Sequence, residues 1–121
     1  MIKMIDHIGI GVKNYDKSKA FYTEVLKTLG YDLLMEFPKV GGFGLDGKAE
    51  LWISEETETA KSHIAFCADS KEKVDAFYNK AIELGAKDNG KPGIREMYHP
   101  NYYGGFVLDL DGNNIEAVFH G

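Results

Sequence analysis

The sequence predicts an α+β fold of two tandem βαβββ modules, a curved mixed sheet with the helices on its outside. Three observations carry that reading. DHIGIGV at residues 6–12 is echoed by SHIAFCA at 62–68, and the offset of 56 that takes His7 to His63 also takes Ile8 to Ile64, Lys17 to Lys73, Ala20 to Ala76, Phe21 to Phe77 and Tyr22 to Tyr78. In each copy an alternating apolar stretch is followed by helical spacing that ends at a Leu-Gly pair, Leu29-Gly30 and Leu84-Gly85. Each copy also holds an Asp-Gly hairpin signal, at Asp46-Gly47 and Asp111-Gly112. The period is too long and the copies too few for a solenoid, which leaves two related half-domains.

The elements follow in order. Ile8, Ile10 and Val12 alternate with His7, Gly9 and Gly11, a strand with one apolar face. Residues 15–29 put Phe21, Val25 and Leu29 on one helical face, and Gly30 stands where a left-handed residue ends a helix. YDLLMEFP, VGGFGLD and KAELWIS read as three strands joined by tight turns. In the second copy Ile64, Phe66 and Ala68 alternate. Asp69 with Glu72 resembles a capping box, and Val74, Phe77, Ala81 and Leu84 give the helix its apolar face before Gly85. A long stretch, KDNGKPGIREMYHPNYY, precedes GFVLDLDGNNIEAVF, which reads as a hairpin. The expected organisation is one domain, 1–121, with module one at 1–58 and module two at 59–121.

Composition narrows the function classes. The net charge is -5 with both signs interspersed and no basic stripe, which argues against a nucleic-acid partner. Cys67 is the only cysteine, so there is no disulfide framework and a reducing, cytoplasmic setting is expected. The opening MIKMIDH lacks an apolar signal-peptide core, and no run approaches the roughly 18 apolar residues of a membrane span.

Strand alternation assigns faces. If the apolar sets face the helices, His7 and His63 turn to the other, concave side. In KAELWIS, Ala49, Leu51 and Ile53 form one face and Glu50, Trp52 and Ser54 the other. In NIEAVFH, Ile115, Ala117 and Phe119 oppose Glu116, Val118 and His120. Pairing these faces at an offset of 66 makes Glu50 the counterpart of Glu116, whereas aligning the Asp-Gly turns gives 65 and pairs Leu51 with Glu116. The face pattern is preferred, because turns change length more easily than a buried face flips. Four polar groups, His7, Glu50, His63 and Glu116, are thus expected on the concave face. Imidazoles with carboxylates suit one divalent ion, zinc, nickel, manganese, cobalt or iron. Glu116 lies in a strand too apolar for an idle charge. Glu50 lies near a turn and is either a solvated carboxylate or a fourth ligand. The segment 91–105 holds the only arginine, Arg95, with Tyr98, His99, Tyr102 and Tyr103. It is either a substrate-facing element, with Arg95 offering a fork for a carboxylate or phosphate, or a loop whose aromatics cover the core. Trp52 is either cavity wall or core.

DHIGIGV, SHIAF and LDLDGNNIEAVF together resemble the vicinal oxygen chelate superfamily, which includes glyoxalase I, fosfomycin-resistance proteins, bleomycin-resistance proteins and extradiol dioxygenases. The resemblance covers nearly the whole chain. It implies metal ligands on the first strand of each module and the last strand of the second, at His7, His63 and Glu116. The glyoxalase I-like branch adds a carboxylate from the last strand of module one, where Glu50 stands. It also implies a homodimer, since members of this size often share sites between subunits. Two sets of features are missing: the glutathione-gripping arginine that glyoxalase I carries shortly after the first histidine (Gly11 is in that region), and the threonine near Gly9 and tyrosine near Phe106 of the fosfomycin-resistance proteins. The implied activity is that of a metal-dependent isomerase or lyase that moves a proton on a small vicinal-oxygen substrate, not tied to glutathione, with Glu116 or Glu50 as the base. Arg95, Tyr98, Tyr103 and Trp52 would contact the substrate. The alternatives are a bleomycin-resistance-like binding protein or a small dioxygenase.

Overall fold

The computed structural model describes residues 5–121; the opening MIKM of the sequence reading lies outside them. Module one runs β1 (Ile8–Val12), α1 (Tyr15–Lys27), β2 (Asp32–Phe37), β3 (Val40–Leu45) and β4 (Lys48–Glu55). Module two runs β5 (His63–Cys67), α2 (Lys71–Glu83), β6 (Lys87–Ile94), β7 (Tyr103–Leu108) and β8 (Asn114–Phe119). Each module forms its own four-stranded sheet, ordered β1-β4-β3-β2 and β5-β8-β7-β6. The first strand of each pairs in parallel with the last, and the others are antiparallel. The helix is the crossover that a parallel pair requires.

Local chemistry explains the boundaries. Asn14 caps α1, its side chain accepting from the Lys17 N–H at 3.0 Å. Ser70, not Asp69, caps α2, accepting from the Lys73 N–H at 3.2 Å. Asp69 instead pairs with the Lys73 ammonium at 3.2 Å, so the capping reading is off by one residue. Gly30 and Gly85 end the helices at φ +91° and +103°, the left-handed conformation that glycine adopts without strain. The sixth strand was hidden in the sequence by Asn89, Gly90, Pro92 and Gly93. Its ladder to β7 survives only with register shifts at Gly90 and Gly93.

The apolar faces of both sheets and both helices meet in one core that includes Phe21, Tyr22, Phe43, Ile53, Phe77 and Ile115. Each such side chain contributes roughly 1.5–3 kcal/mol of burial. At the seam between modules the Tyr22 hydroxyl donates to the carboxyl of Asp109, which is buried just after β7. Burial, then the neighbouring Asp109, holds the Tyr22 hydroxyl well above its ordinary pKa. Asp109 also accepts from the Asp111 N–H at 2.9 Å, the Asn113 N–H at 2.8 Å and the Asn113 amide at 2.9 Å. One carboxyl therefore builds the β7–β8 turn and binds α1 to it.

Tyr22→Phe is expected to lower unfolding stability by about 1–3 kcal/mol, the cost of leaving a buried acceptor short of its donor. Asp109→Ala is expected to cost more, because it strands the phenol and the turn amides together. Urea unfolding followed by circular dichroism measures both.

Candidate metal and substrate site

On module two, two of the expected groups come together. Glu116 on β8 is 2 % exposed, the most deeply buried acid among the described residues. Its Oε1 stands 3.4 Å from His63 Nε2. His63 Nδ1 lies 3.1 Å from the Asn114 carbonyl oxygen. A carbonyl only accepts, so Nδ1 carries the proton and Nε2 of the neutral ring turns a lone pair toward the carboxylate. Two acceptors facing each other across that gap need a proton or a cation between them. Two ligand atoms that share one ion at about 2.1 Å each stand about 3–3.5 Å apart. The donor set and spacing therefore fit a divalent ion. His7 is tethered in the same way, its Nδ1 2.7 Å from Asp6 Oδ2. The Lys48 ammonium, 2.6 Å from Asp6 Oδ1, and the His7 bond hold the Asp6 carboxyl down at about 2. Such outer tethers fix the tautomer and aim of ligating histidines.

The remaining groups do not join them. His7 and Glu50 line a cavity of about 360 Å³ at the seam, bounded by Ile64, Ala65, Phe66 and Cys67 of β5 across the gap. Among the described residues no three His, Cys, Asp or Glu side chains gather closely enough to hold a metal ion. Within one chain, then, His7, Glu50, His63 and Glu116 do not converge on a single point. Each sheet is hydrogen-bonded separately; His63 approaches Glu116 in module two, while His7, bonded to Asp6, and Glu50 line the seam cavity.

Strand register also revises the repeat. Ile8 pairs with Leu51, and Ile64 with Ile115. Since Ile8 and Ile64 are repeat counterparts, so are Leu51 and Ile115; 115 minus 51 gives an offset of 64, not 66. The counterpart of Glu116 is then Trp52, and that of Glu50 is Asn114. The β3–β4 turn is the two residues Asp46-Gly47, while residues 109–113 form the β7–β8 turn. A slip of two preserves alternation, which is why the face pattern could not detect it. Trp52 is half-buried, lies over Gly42 and stacks on Phe37 with centroids 6.4 Å apart. It thus lies on the face away from the helix-side core, outside the lining of the seam cavity.

A family model described as the Glyoxalase/Bleomycin resistance protein/Dioxygenase superfamily matches residues 4–117. The chain belongs to this superfamily. It is 30 % identical to the metallothiol transferase FosB of Staphylococcus haemolyticus, over 96 % of this chain and 83 % of that protein. A crystal structure of a glyoxalase/bleomycin resistance protein from Albidiferax ferrireducens superposes with a TM-score of 0.86 at 27 % identity, covering 97 % of this chain and 99 % of that one. The fosfomycin resistance protein FosX of Listeria monocytogenes shares the fold at 22 % identity and a TM-score of 0.73, covering 100 % of this chain and 96 % of that one.

Within this superfamily fold, the segment after β6 divides its residues between two faces. Arg95 lies over the Phe106 ring at 5.4 Å, and Phe106 is the ladder partner of Glu116, so the guanidinium reaches the Glu116 face. Its Nη2 donates to the Lys91 carbonyl at 2.7 Å. A Cβ on Gly90 or Gly93 would lie 3.2 or 3.1 Å from its nitrogens, so those glycines give the guanidinium room. Tyr98 is exposed and packs edge-on against Tyr102 at 4.8 Å. Tyr103 is not on this face. Its hydroxyl donates to Asp75 of α2 at 2.6 Å, which pushes its pKa up to about 12. Tyr102 is there instead, its hydroxyl donating to Glu116 Oε2. Parity along β7 carried the signal: Tyr103 shares its face with the core residue Val107, Tyr102 with Phe106.

Two outcomes follow. Gly42→Ala would place a Cβ 2.9 Å from the Trp52 ring and is expected to tilt the indole, seen as a red shift in the emission of the only tryptophan. Tyr103→Phe is expected to cost about 1 kcal/mol in urea unfolding, the worth of an ordinary hydrogen bond, because it loosens α2 rather than the site.

Proposed function

We propose that this protein is a metal-dependent enzyme acting on a small substrate with two neighbouring oxygens, of the isomerase or lyase type, with His7, His63 and Glu116 as the metal ligands. The observation that carries this reading is the His63 Nε2 to Glu116 Oε1 approach of 3.4 Å, with the buried Glu116 facing an imidazole nitrogen. The name of the FosB relatives, metallothiol transferase, also supports a metal. A divalent ion held there supplies a Lewis acid that draws negative charge onto two adjacent substrate oxygens. Three protein ligands leave positions open for them. Glu50, beside His7 on the cavity wall, moves the proton between neighbouring carbons. Arg95 holds an anionic group of the substrate, and Trp52 and Tyr98 offer flat apolar surface to its body.

Since His7 does not reach Glu116 within one chain, the ligand set is completed by a second copy. A homodimer places His7 of one subunit against His63 and Glu116 of the other. The edges of β1 and β5, each at the end of its sheet, are the surfaces for that pairing.

His7→Ala and Glu116→Ala are each expected to abolish uptake of zinc, nickel, cobalt or manganese, read by metal analysis and by the loss of metal-dependent thermal stabilisation. Unfolding and refolding the two variants together is expected to restore about a quarter of the wild-type metal sites, since half the dimers are mixed and each has one intact set. Wild-type protein that takes up none of these metals would overturn the reading. Recovery of no sites on mixing would overturn the sharing.

A further inference from the structure

We propose that Tyr102 is a positioning residue that keeps one oxygen of Glu116 occupied, so that the carboxylate ligates through Oε1 alone. A clasp between His99 and His120 holds Tyr102 in place. The inference rests on the metal reading above and concerns how the chain's own residues shape that site.

The bond itself comes first. The Tyr102 hydroxyl donates to Glu116 Oε2, while Oε1 faces His63 Nε2 at 3.4 Å. The two carboxylate oxygens thus have separate tasks. Gly104, two residues after Tyr102, makes room for this contact. A Cβ there would stand 3.0 Å from Tyr102 Cε1 and 3.2 Å from Glu116 Oε2.

The clasp comes next. Residues 95–102 close on themselves through the Arg95 N–H to the Tyr102 carbonyl at 2.7 Å, the Tyr98 N–H to the Arg95 carbonyl at 3.0 Å and the Tyr102 N–H to the His99 carbonyl at 3.1 Å. His99 Nδ1 accepts from the Asn101 N–H at 3.2 Å, so that nitrogen bears no proton in the neutral ring. The proton is then on Nε2, which donates to His120 Nδ1 at 2.8 Å. The rings are 25° from coplanar with centroids 5.1 Å apart, the spacing of an in-line N–H···N bond. Both imidazoles meet the Tyr102 ring edge to face at 5.4 Å. By strand alternation His120 shares the Glu116 face of its strand. The loop is therefore tied to the same stretch of chain that carries the acid it caps.

The consequence is chemical. A carboxylate free at both oxygens can fold around an ion and fill a position that a substrate oxygen needs. With Oε2 held by the phenol, Glu116 presents one oxygen in a fixed direction, and outer partners of this kind raise ligand affinity.

Cobalt(II) binding tests the inference, because affinity and visible absorption are read without any substrate. Tyr102→Phe keeps the ring in its aromatic pocket and removes only the hydroxyl. It is expected to weaken Co(II) binding by about 10–100-fold and to change the absorption of the bound ion. His120→Ala is expected to move both in the same direction by a smaller factor, and it carries the test if Tyr102→Phe does not fold. Tyr78→Phe loses a phenol bonded to Asp88 at 2.9 Å, outside the site, and is expected to match wild type in both. Tyr102→Phe or, in its place, His120→Ala binding Co(II) with wild-type affinity and spectrum would overturn the inference and leave the metal reading standing. Wild-type protein that takes up no Co(II) would overturn both.

Discussion

The buried carboxyl of Asp109 is the constraint on which the arrangement of this molecule turns. It gathers the Tyr22 phenol of α1 and the amides of its own turn into one network. A buried acid of this kind holds only if each partner stays in place, since an unpaired polar group in the core is costly. The network therefore docks module one on module two through a helix and a turn. A further bond from the Lys13 N–H to Asp111 Oδ1 at 3.0 Å lies on the same seam. With the modules locked there, the sheets remain separate, and the polar groups stay divided, His63 facing Glu116 while His7 and Glu50 line the seam cavity. The division that the proposed function must bridge with a second copy begins at this seam.

The two histidines are built alike although their tethers differ. Each gives Nδ1 to an acceptor, the Asp6 carboxylate for His7 and the Asn114 carbonyl for His63. A side-chain tether needs its own support, which Lys48 gives by holding Asp6 in the ionised form. A backbone tether needs none, because the β5–β8 ladder fixes it. In both cases Nε2 is the nitrogen that the tether leaves for a ligand bond. Duplication preserved the aim of the imidazole while allowing the means to change.

Much of this was legible in the sequence, and what was not has definite causes. The offset between DHIGIGV and SHIAFCA revealed two modules, and alternation correctly separated Leu51 and Ile53 from Trp52, and Ile115 and Ala117 from Glu116. Alternation has a period of two, so it is blind to a slip of two. That is why Glu50 was read as the counterpart of Glu116 when the ladders give Trp52. The strand β6 was illegible because its glycines and proline break the pattern, and the reason for Gly90 and Gly93 is the Arg95 side chain lying across them. Tyr102 and Tyr103 are adjacent and chemically identical. Only the start of β7 distinguishes them, and strand ends are poorly marked in sequence.

The register carries the last step, from fold to chemistry. Counterpart positions on the last strands hold an acid in module two and an indole in module one. Glu116 is enclosed by a phenol and an imidazole, while Trp52 lies over Gly42 against Phe37. If both positions held acids, a site formed from one half of each copy would carry two buried carboxylates. A bound divalent ion would offset both, so the repulsion would fall on the empty site, where it must be relieved by protonation or by added partners. With an indole at one position, the proposed ligand set holds a single acid and two imidazoles, and the counterpart position offers a flat apolar surface. The duplicated backbone thus supplies a symmetric frame, and the Trp52 and Glu116 pair makes its chemistry one-sided. On this reading Glu50, a step away from that pair and beside His7, is placed to act on substrate rather than to replace Glu116.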